Sequence, residues 1–260
     1  MRFPIRSTLA VFALLAAVHP WTAHGDTLVT PTGLNLENVD GPQAFAFPWA
    51  RGNPEFSNFP YRYQQGYAAS EFDSIGDVLQ ISELRFRVDQ ATGSRTPFNV
   101  GDVEVRLSVT TVDPDELATG STEALDGNIG ARQTLVYEGP LAWDPCDVAV
   151  CPVPAFDLAV PFVTDFVYDP LTDGNLLLEV YNLSEVYPTQ FFDAVNTPAD
   201  GIGHVREVLD RNDVANHLFP TDAPSNGLVT QFVYTVPEAG SAASAAAALL
   251  AVAALRRRRA

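Results

Sequence analysis

Asp102-Val103-Glu104-Val105-Arg106-Leu107-Ser108-Val109 alternates polar and apolar residues without a break. Successive side chains of an extended chain point to opposite faces, so this stretch has one wet face and one dry face and predicts a half-buried strand. The same period recurs outward in both directions. Leu84, Phe86 and Val88 point one way while Glu83, Arg85 and Arg87 point the other. Phe156, Leu158, Val160 and Phe162 make a second run, and Leu228, Thr230, Phe232, Tyr234 and Val236 make a last one. Residues 175–183 are apolar on both phases, which predicts a central strand covered on both faces. Between these runs stand turn signals: Gly93-Ser94, Asp113-Pro114-Asp115, Asp126-Gly127-Asn128, Asp169-Pro170 and Asp173-Gly174-Asn175. No amphipathic helix longer than two turns is legible in between. The expectation is an all-β, antiparallel, jelly-roll-like β-sandwich of about eight to ten strands in two sheets, with a closed barrel as the runner-up. Proline cannot donate to a sheet ladder, so the 20 prolines are expected in loops and on edges. Residues 41–60, with Pro42, Pro48, Pro54 and Pro60, read as one long ordered loop over a sheet edge.

Charge bounds the partners. The chain has 260 residues and a formal net charge of −17, and all 15 of its basic residues are arginine. Residues 26–236 hold nine arginines against 31 acids. Such a domain cannot neutralise phosphates, so nucleic acid is not an expected partner, and anionic membrane surfaces are disfavoured for the same reason.

The two ends read differently from the middle. Residues 1–25 have a positive flank (Arg2, Arg6), an apolar run and Ala23-His24-Gly25, small residues at −3 and −1 of a cleavage point. This predicts a secretion-signal helix cut between Gly25 and Asp26, with an uncut N-terminal anchor as the alternative. At the other end Val236-Pro237-Glu238 precedes residues 239–255, which carry no charge, and then Arg256, Arg257, Arg258 and Arg259. An apolar helix of that length is marginal for a bilayer core, and the arginine block would hold its end in the cytoplasm. The domain division is therefore 1–25 signal, 26–235 sandwich, 236–260 tail.

The order of short motif, apolar run and terminal arginine cluster resembles the PEP-CTERM sorting signal of exported proteins in Gram-negative bacteria. Here the motif reads Pro237-Glu238-Ala239, with alanine at the place of the second proline. The body is also similar to a recurring type of protein with that signal, over Arg62-Tyr63-Gln64-Gln65-Gly66-Tyr67-Ala68-Ala69-Ser70-Glu71-Phe72, over Ile81-Ser82-Glu83-Leu84-Arg85-Phe86-Arg87, and over residues 168–180. The resemblance implies processing by exosortase, a membrane-embedded cysteine transpeptidase-like enzyme. It also implies a transient stay in the inner membrane, then the cell surface or extracellular space, beside exopolysaccharide. It implies no transferable activity. A plain C-terminal membrane anchor is the alternative.

Candidate chemistry is sparse. Cys146 and Cys151 are the only cysteines; in an exported chain they read as a disulfide stapling a loop, contributing about 2 kcal/mol if unstrained, with a free pair or a metal as alternatives. The mature region has two histidines, His204 and His217, and neither a His-Glu-x-x-His nor a Gly-x-Ser-x-Gly signature. Two carboxylates would suffice for a glycosidase, but acids this numerous are better read as turn residues and a solvated face. Asp169, Asp173 and Asn175 are weak candidates for a structural calcium clamp, and Asp113, Asp115 and Glu116 form a second acidic turn; acid-rich turns without metal are the simpler reading. Among the early aromatics, Trp49, Tyr61 and Tyr63 are candidates to stack on sugars, while core filling accounts for most of the cluster. The functional expectation is a non-enzymatic exported surface or matrix protein, sorted through its tail and open to glycan contact. A secreted carbohydrate-active hydrolase and a self-associating structural protein are the alternatives.

Overall fold

The computed structural model describes residues 25–34, 43–46, 48–49, 60–89, 96–144, 155–184, 190–195, 201–208 and 227–237. Residues 1–24, residues 145–154 with Cys146 and Cys151, and residues 238–260 lie outside them. Twelve strands are described: β1 (Asp26–Thr30), β2 (Gln43–Phe45), β3 (Tyr61–Tyr67), β4 (Leu79–Phe86), β5 (Phe98–Thr110), β6 (Thr134–Trp143), β7 (Leu158–Tyr168), β8 (Asn175–Asn182), β9 (Phe192–Val195), β10 (Ile202–Val208), β11 (Gly227–Leu228) and β12 (Thr230–Thr235). One short helix, α1 (Thr122–Gly127), lies between β5 and β6; the Ser121 hydroxyl accepts from the Ala124 N–H at its start.

A four-stranded sheet, β1-β12-β4-β7, faces a five-stranded sheet, β10-β3-β8-β5-β6, and a small third sheet runs β11-β9-β2. All pairings are antiparallel. Numbering β1, β3, β4, β5, β6, β7, β8 and β12 first to eighth, the large sheets read 1-8-3-6 and 2-7-4-5. That order is two interleaved Greek keys, a jelly roll, with β10 added beside β3. The fold is therefore the expected antiparallel β-sandwich rather than a closed barrel.

The sequence pattern explains the packing. Val103, Val105, Leu107 and Val109 of β5 point inward and meet Leu84, Phe86, Leu158 and Val160 from the other sheet in one core. β8 is the central strand predicted from its double-phase apolarity, flanked by β3 and β5. Its Leu176, Leu178 and Val180 join the main core, while Leu177 points the other way into a small cluster with Leu117, Leu125 and Val205. That second cluster exists because residues 111–133 fold back over the outer face of the five-stranded sheet. The contact is made on glycine: Gly66 and Gly203 are register partners, and a Cβ on Gly203 would lie 2.3 Å from the Pro114 carbonyl oxygen. The turn into β8 uses Gly174 at φ +84°, where L side chains are strained.

Two expectations need correction. Residues 41–60 are not all loop, since β2 pairs with β9 and Trp49 is fully buried against Phe86, with ring centroids 5.2 Å apart. Arg87, placed by alternation on the wet face, is buried: Asp193 of β9 covers it, and its Nε donates to the Asp193 carboxylate at 2.5 Å.

Candidate functional site

Ionisable side chains from three strands converge on the outer face of the five-stranded sheet. Register sets them in two rows: Arg62, Tyr181 and Glu104 across β3, β8 and β5, and beside it Gln64, Glu179 and Arg106. The Arg62 Nε donates to Glu179 Oε1 at 2.8 Å, and its Nη2 lies 2.6 Å from the same oxygen and 2.8 Å from Asp126 Oδ1. Gln64 also donates to Glu179 Oε1 at 2.8 Å, and Gln133 donates to Oε2 at 2.9 Å. Asn128 closes the network by donating to Gln64 Oε1 at 2.9 Å. The Tyr181 ring sits between two guanidinium carbons, Arg62 at 5.3 Å and Arg106 at 5.0 Å. Arg106 in turn donates to Glu104 at 2.5 Å.

Electrostatics follow from burial. Burial opposes the charge on Arg62, but Glu179 and, less strongly, Tyr181 and Asp126 outweigh it, and the guanidinium pKa is raised. The Tyr181 phenol is pushed up to about 12, first by burial and then by Glu179, with Arg62 and Arg106 pulling the other way. Glu179 already accepts from Arg62, Gln64 and Gln133, so its oxygens are committed to the chain and it is poorly placed to hand a proton to a substrate. The arrangement is a buried clamp with a half-exposed rim of Tyr181, Arg106 and Glu104.

Sequence reasoning placed Arg106 and Glu104 on the wet face but passed over Arg62 and Glu179. A usable signal was there: a glutamate inside the apolar run of β8 requires a buried partner, because an unpaired charge in such a place is too costly.

The structure places the sequence candidates elsewhere. Trp49, Tyr61 and Tyr63 are each 0 % exposed, so they are core residues and cannot stack on a glycan. Their polar ends turn inward too: the Tyr61 hydroxyl donates to the Pro48 carbonyl, and the Tyr63 hydroxyl donates to Gln65. The calcium candidates are occupied by the chain itself. Asp169 accepts from the Leu171 N–H at 3.0 Å and the Thr172 hydroxyl at 2.7 Å. Asp173 accepts from the Asp169 N–H at 2.8 Å and pairs with Arg132, which also donates to the Val167 carbonyl. Asn175 turns away, accepting from the Ala69 N–H and donating to the Val112 carbonyl. The turn is thus clamped by a guanidinium and local hydrogen bonds, and its ligands diverge. Asp113 is likewise a cap, accepting from the Asp115 N–H. Among the described residues, no group of three or more His, Cys, Asp or Glu could hold a metal ion.

At the ends, Asp26 opens β1, and Val236 and Pro237 follow β12 as exposed chain. Asp26 and Tyr234 are register partners, so the predicted cleavage point and the predicted sorting motif leave the sandwich side by side. Glu238, Arg256, Arg257, Arg258, Arg259, Cys146, Cys151 and His217 lie outside the described residues, and His204 is described only as backbone in β10. Among the described residues no helix is long and apolar enough to cross a membrane. No protein-family model, no curated protein and no solved structure matches this chain.

Proposed function

We propose that this chain is an exported, non-enzymatic surface or matrix protein, carried across the inner membrane by residues 1–25 and sorted through residues 236–260. The observation that carries the reading is the boundary of the sandwich. β1 starts at Asp26, directly after the expected signal cut, and β12 stops at Thr235, directly before the Val236-Pro237-Glu238 motif. The folded unit therefore fits between the two processing points without losing a strand to either. Because Asp26 and Tyr234 are neighbours, a precursor held by either end would present the same end of the sandwich to the membrane. The ionisable cluster on the outer sheet face supports a structural role over catalysis, because its central carboxylate is saturated by protein donors. An exosortase-like enzyme is the expected processing partner. The glycan reading keeps no assigned residue.

The test is the intact mass of the protein recovered from its native cells and their medium, with and without the sorting enzyme. A mature chain that starts at Asp26 and ends near Pro237 in an enzyme-dependent way is the expected result. An uncut C-terminus in wild-type cells would overturn it and leave a membrane-tethered domain.

A further inference from the structure

Pro237 stands two residues beyond the last paired residue of β12, and β12 is an interior strand, held by β1 on one side and β4 on the other. Tyr234 is 8 % exposed and Thr235 is paired with Gln80. Enzymes that cut a peptide commonly hold the residues before the scissile bond as an added strand. For a bond at Pro237 or Glu238 those residues are Tyr234, Thr235 and Val236, and the sheet already holds the first two. The same backbone groups cannot serve the sheet and an enzyme cleft at once.

The ladder has a weak point at the right place. Ser82 of β4 is skipped by both neighbours: on β12 the register jumps from Val233↔Glu83 to Tyr234↔Ile81, and on β7 it jumps from Pro161↔Glu83 to Phe166↔Ile81. A bulge disrupts the ladder locally, and here only the Ser82 hydroxyl, donating to the Val233 carbonyl at 3.4 Å, spans it to β12. Beyond it, Tyr234 and Thr235 are held by Ile81 and Gln80, and by Asp26 alone from β1. Opening this short unit draws the Tyr234 ring out of the main core but breaks only these few pairings, so it is a local event that leaves the other strands paired. Resting on the sorting reading above, we propose that Tyr234 and Thr235 must leave the sheet before the bond at the motif is cut, so the sandwich itself sets the rate of its release from the membrane.

The experiment follows full-length precursor in native cells by pulse–chase and intact mass, comparing wild type with two variants. One carries a Gly/Ser spacer of about six residues between Thr235 and Val236, long enough to fill a cleft while β12 stays paired. The other is Gln80→Cys with Thr235→Cys, a register pair; directly opposed antiparallel residues lie about 4.5–5.5 Å apart at Cα, within disulfide reach. Where opening is fast relative to cutting, rate tracks the open population, so the spacer should speed processing about tenfold. The oxidised cysteine pair should slow it by a similar factor and recover on reduction. The spacer also lifts the domain from the membrane, so the recovery on reduction is the arm specific to strand opening. Wild type cut at the same rate as both variants would overturn the inference and leave sorting intact. No cut in any variant, the spacer included, would overturn sorting and the inference with it.

Discussion

On its inner face β3 presents Tyr61, Tyr63, Gln65 and Tyr67; on its outer face it presents Arg62, Gln64 and Gly66, and all seven are buried. The inner face is dry because aromatics fill it. Tyr67 packs edge-on against Phe232 at 5.1 Å, and Gln65 is tied off by accepting from the Leu228 N–H and donating to the Leu228 carbonyl, as a neighbouring strand would. The outer face is dry because residues 111–133 lie over it, and it is built from an ion pair and amides. Apolar burial is a sum of many small contacts, lost in proportion to the atoms removed, whereas a buried ion pair is stabilising only while every partner stays in place. The two faces should therefore fail differently.

Removing an inner ring is expected to give a large, ordinary loss. Tyr63→Ala leaves a cavity under a fully buried position and should cost about 3–5 kcal/mol, read as a fall in urea midpoint. On the outer face Glu179→Leu should cost about as much for a different reason, because it leaves the Arg62 guanidinium buried without its main counter-charge. The double variant Arg62→Met with Glu179→Leu separates the two mechanisms. It should recover most of that loss, since an apolar pair of similar volume often replaces a buried ion pair at little cost. A double variant no more stable than Glu179→Leu alone would show that the outer face depends on its charges as the inner face depends on its rings.

A smaller effect tests what holds residues 111–133 in place. Gly203→Ala puts a Cβ 2.3 Å from the Pro114 carbonyl oxygen, so the covering segment must lift, at about 1–3 kcal/mol. Lifting should expose the outer cluster first, so amide exchange should quicken around α1 and leave β5 and β8 protected. Uniform quickening would mean the cover and the sandwich unfold as one.

How the sequence could and could not be read follows the same division. The inner face was legible because period-two alternation in β5, β4, β7 and β12 is a local signal, and β8 betrayed its central place by being apolar on both phases. The outer face was not, because nothing local says that residues 111–133 return to cover Arg62 and Gln64. Arg87 failed for the same reason: its cover, Asp193 of β9, is supplied from 106 residues away. The aromatic cluster is ambiguous in sequence because a tyrosine suits either a core or a sugar, and only the partner of its hydroxyl decides. The acidic turn at Asp169 looked like a cation site because sequence gives the carboxylates but not Arg132, which closes on them from the β5–β6 connection.

The smallest expected effect sharpens the comparison through pH. Tyr181 lies at the rim of the outer face between Arg62 and Arg106, and burial, with Glu179, pushes its folded phenol from 10.0 up to about 12. A raised folded pKa means that the folded chain keeps the proton longer. Its contribution is complete below about pH 10, and it falls as pH rises toward 12, because the unfolded phenol ionises first. Tyr67 and Tyr168, both raised chiefly by burial, act in the same direction. The protein should therefore lose stability above about pH 10. Tyr181→Phe keeps the ring between the two guanidiniums and removes the titrating hydroxyl, so its urea midpoint should fall less steeply with pH than that of wild type. Near-ultraviolet tyrosinate absorbance of the folded state supplies the check at the site itself. An unchanged slope, with Tyr181 ionising near its reference value, would mean that the two arginines outweigh burial and Glu179 at the rim. The outer face would then be a cationic surface around an exposed phenol, in place of the buried clamp with a half-exposed rim described above.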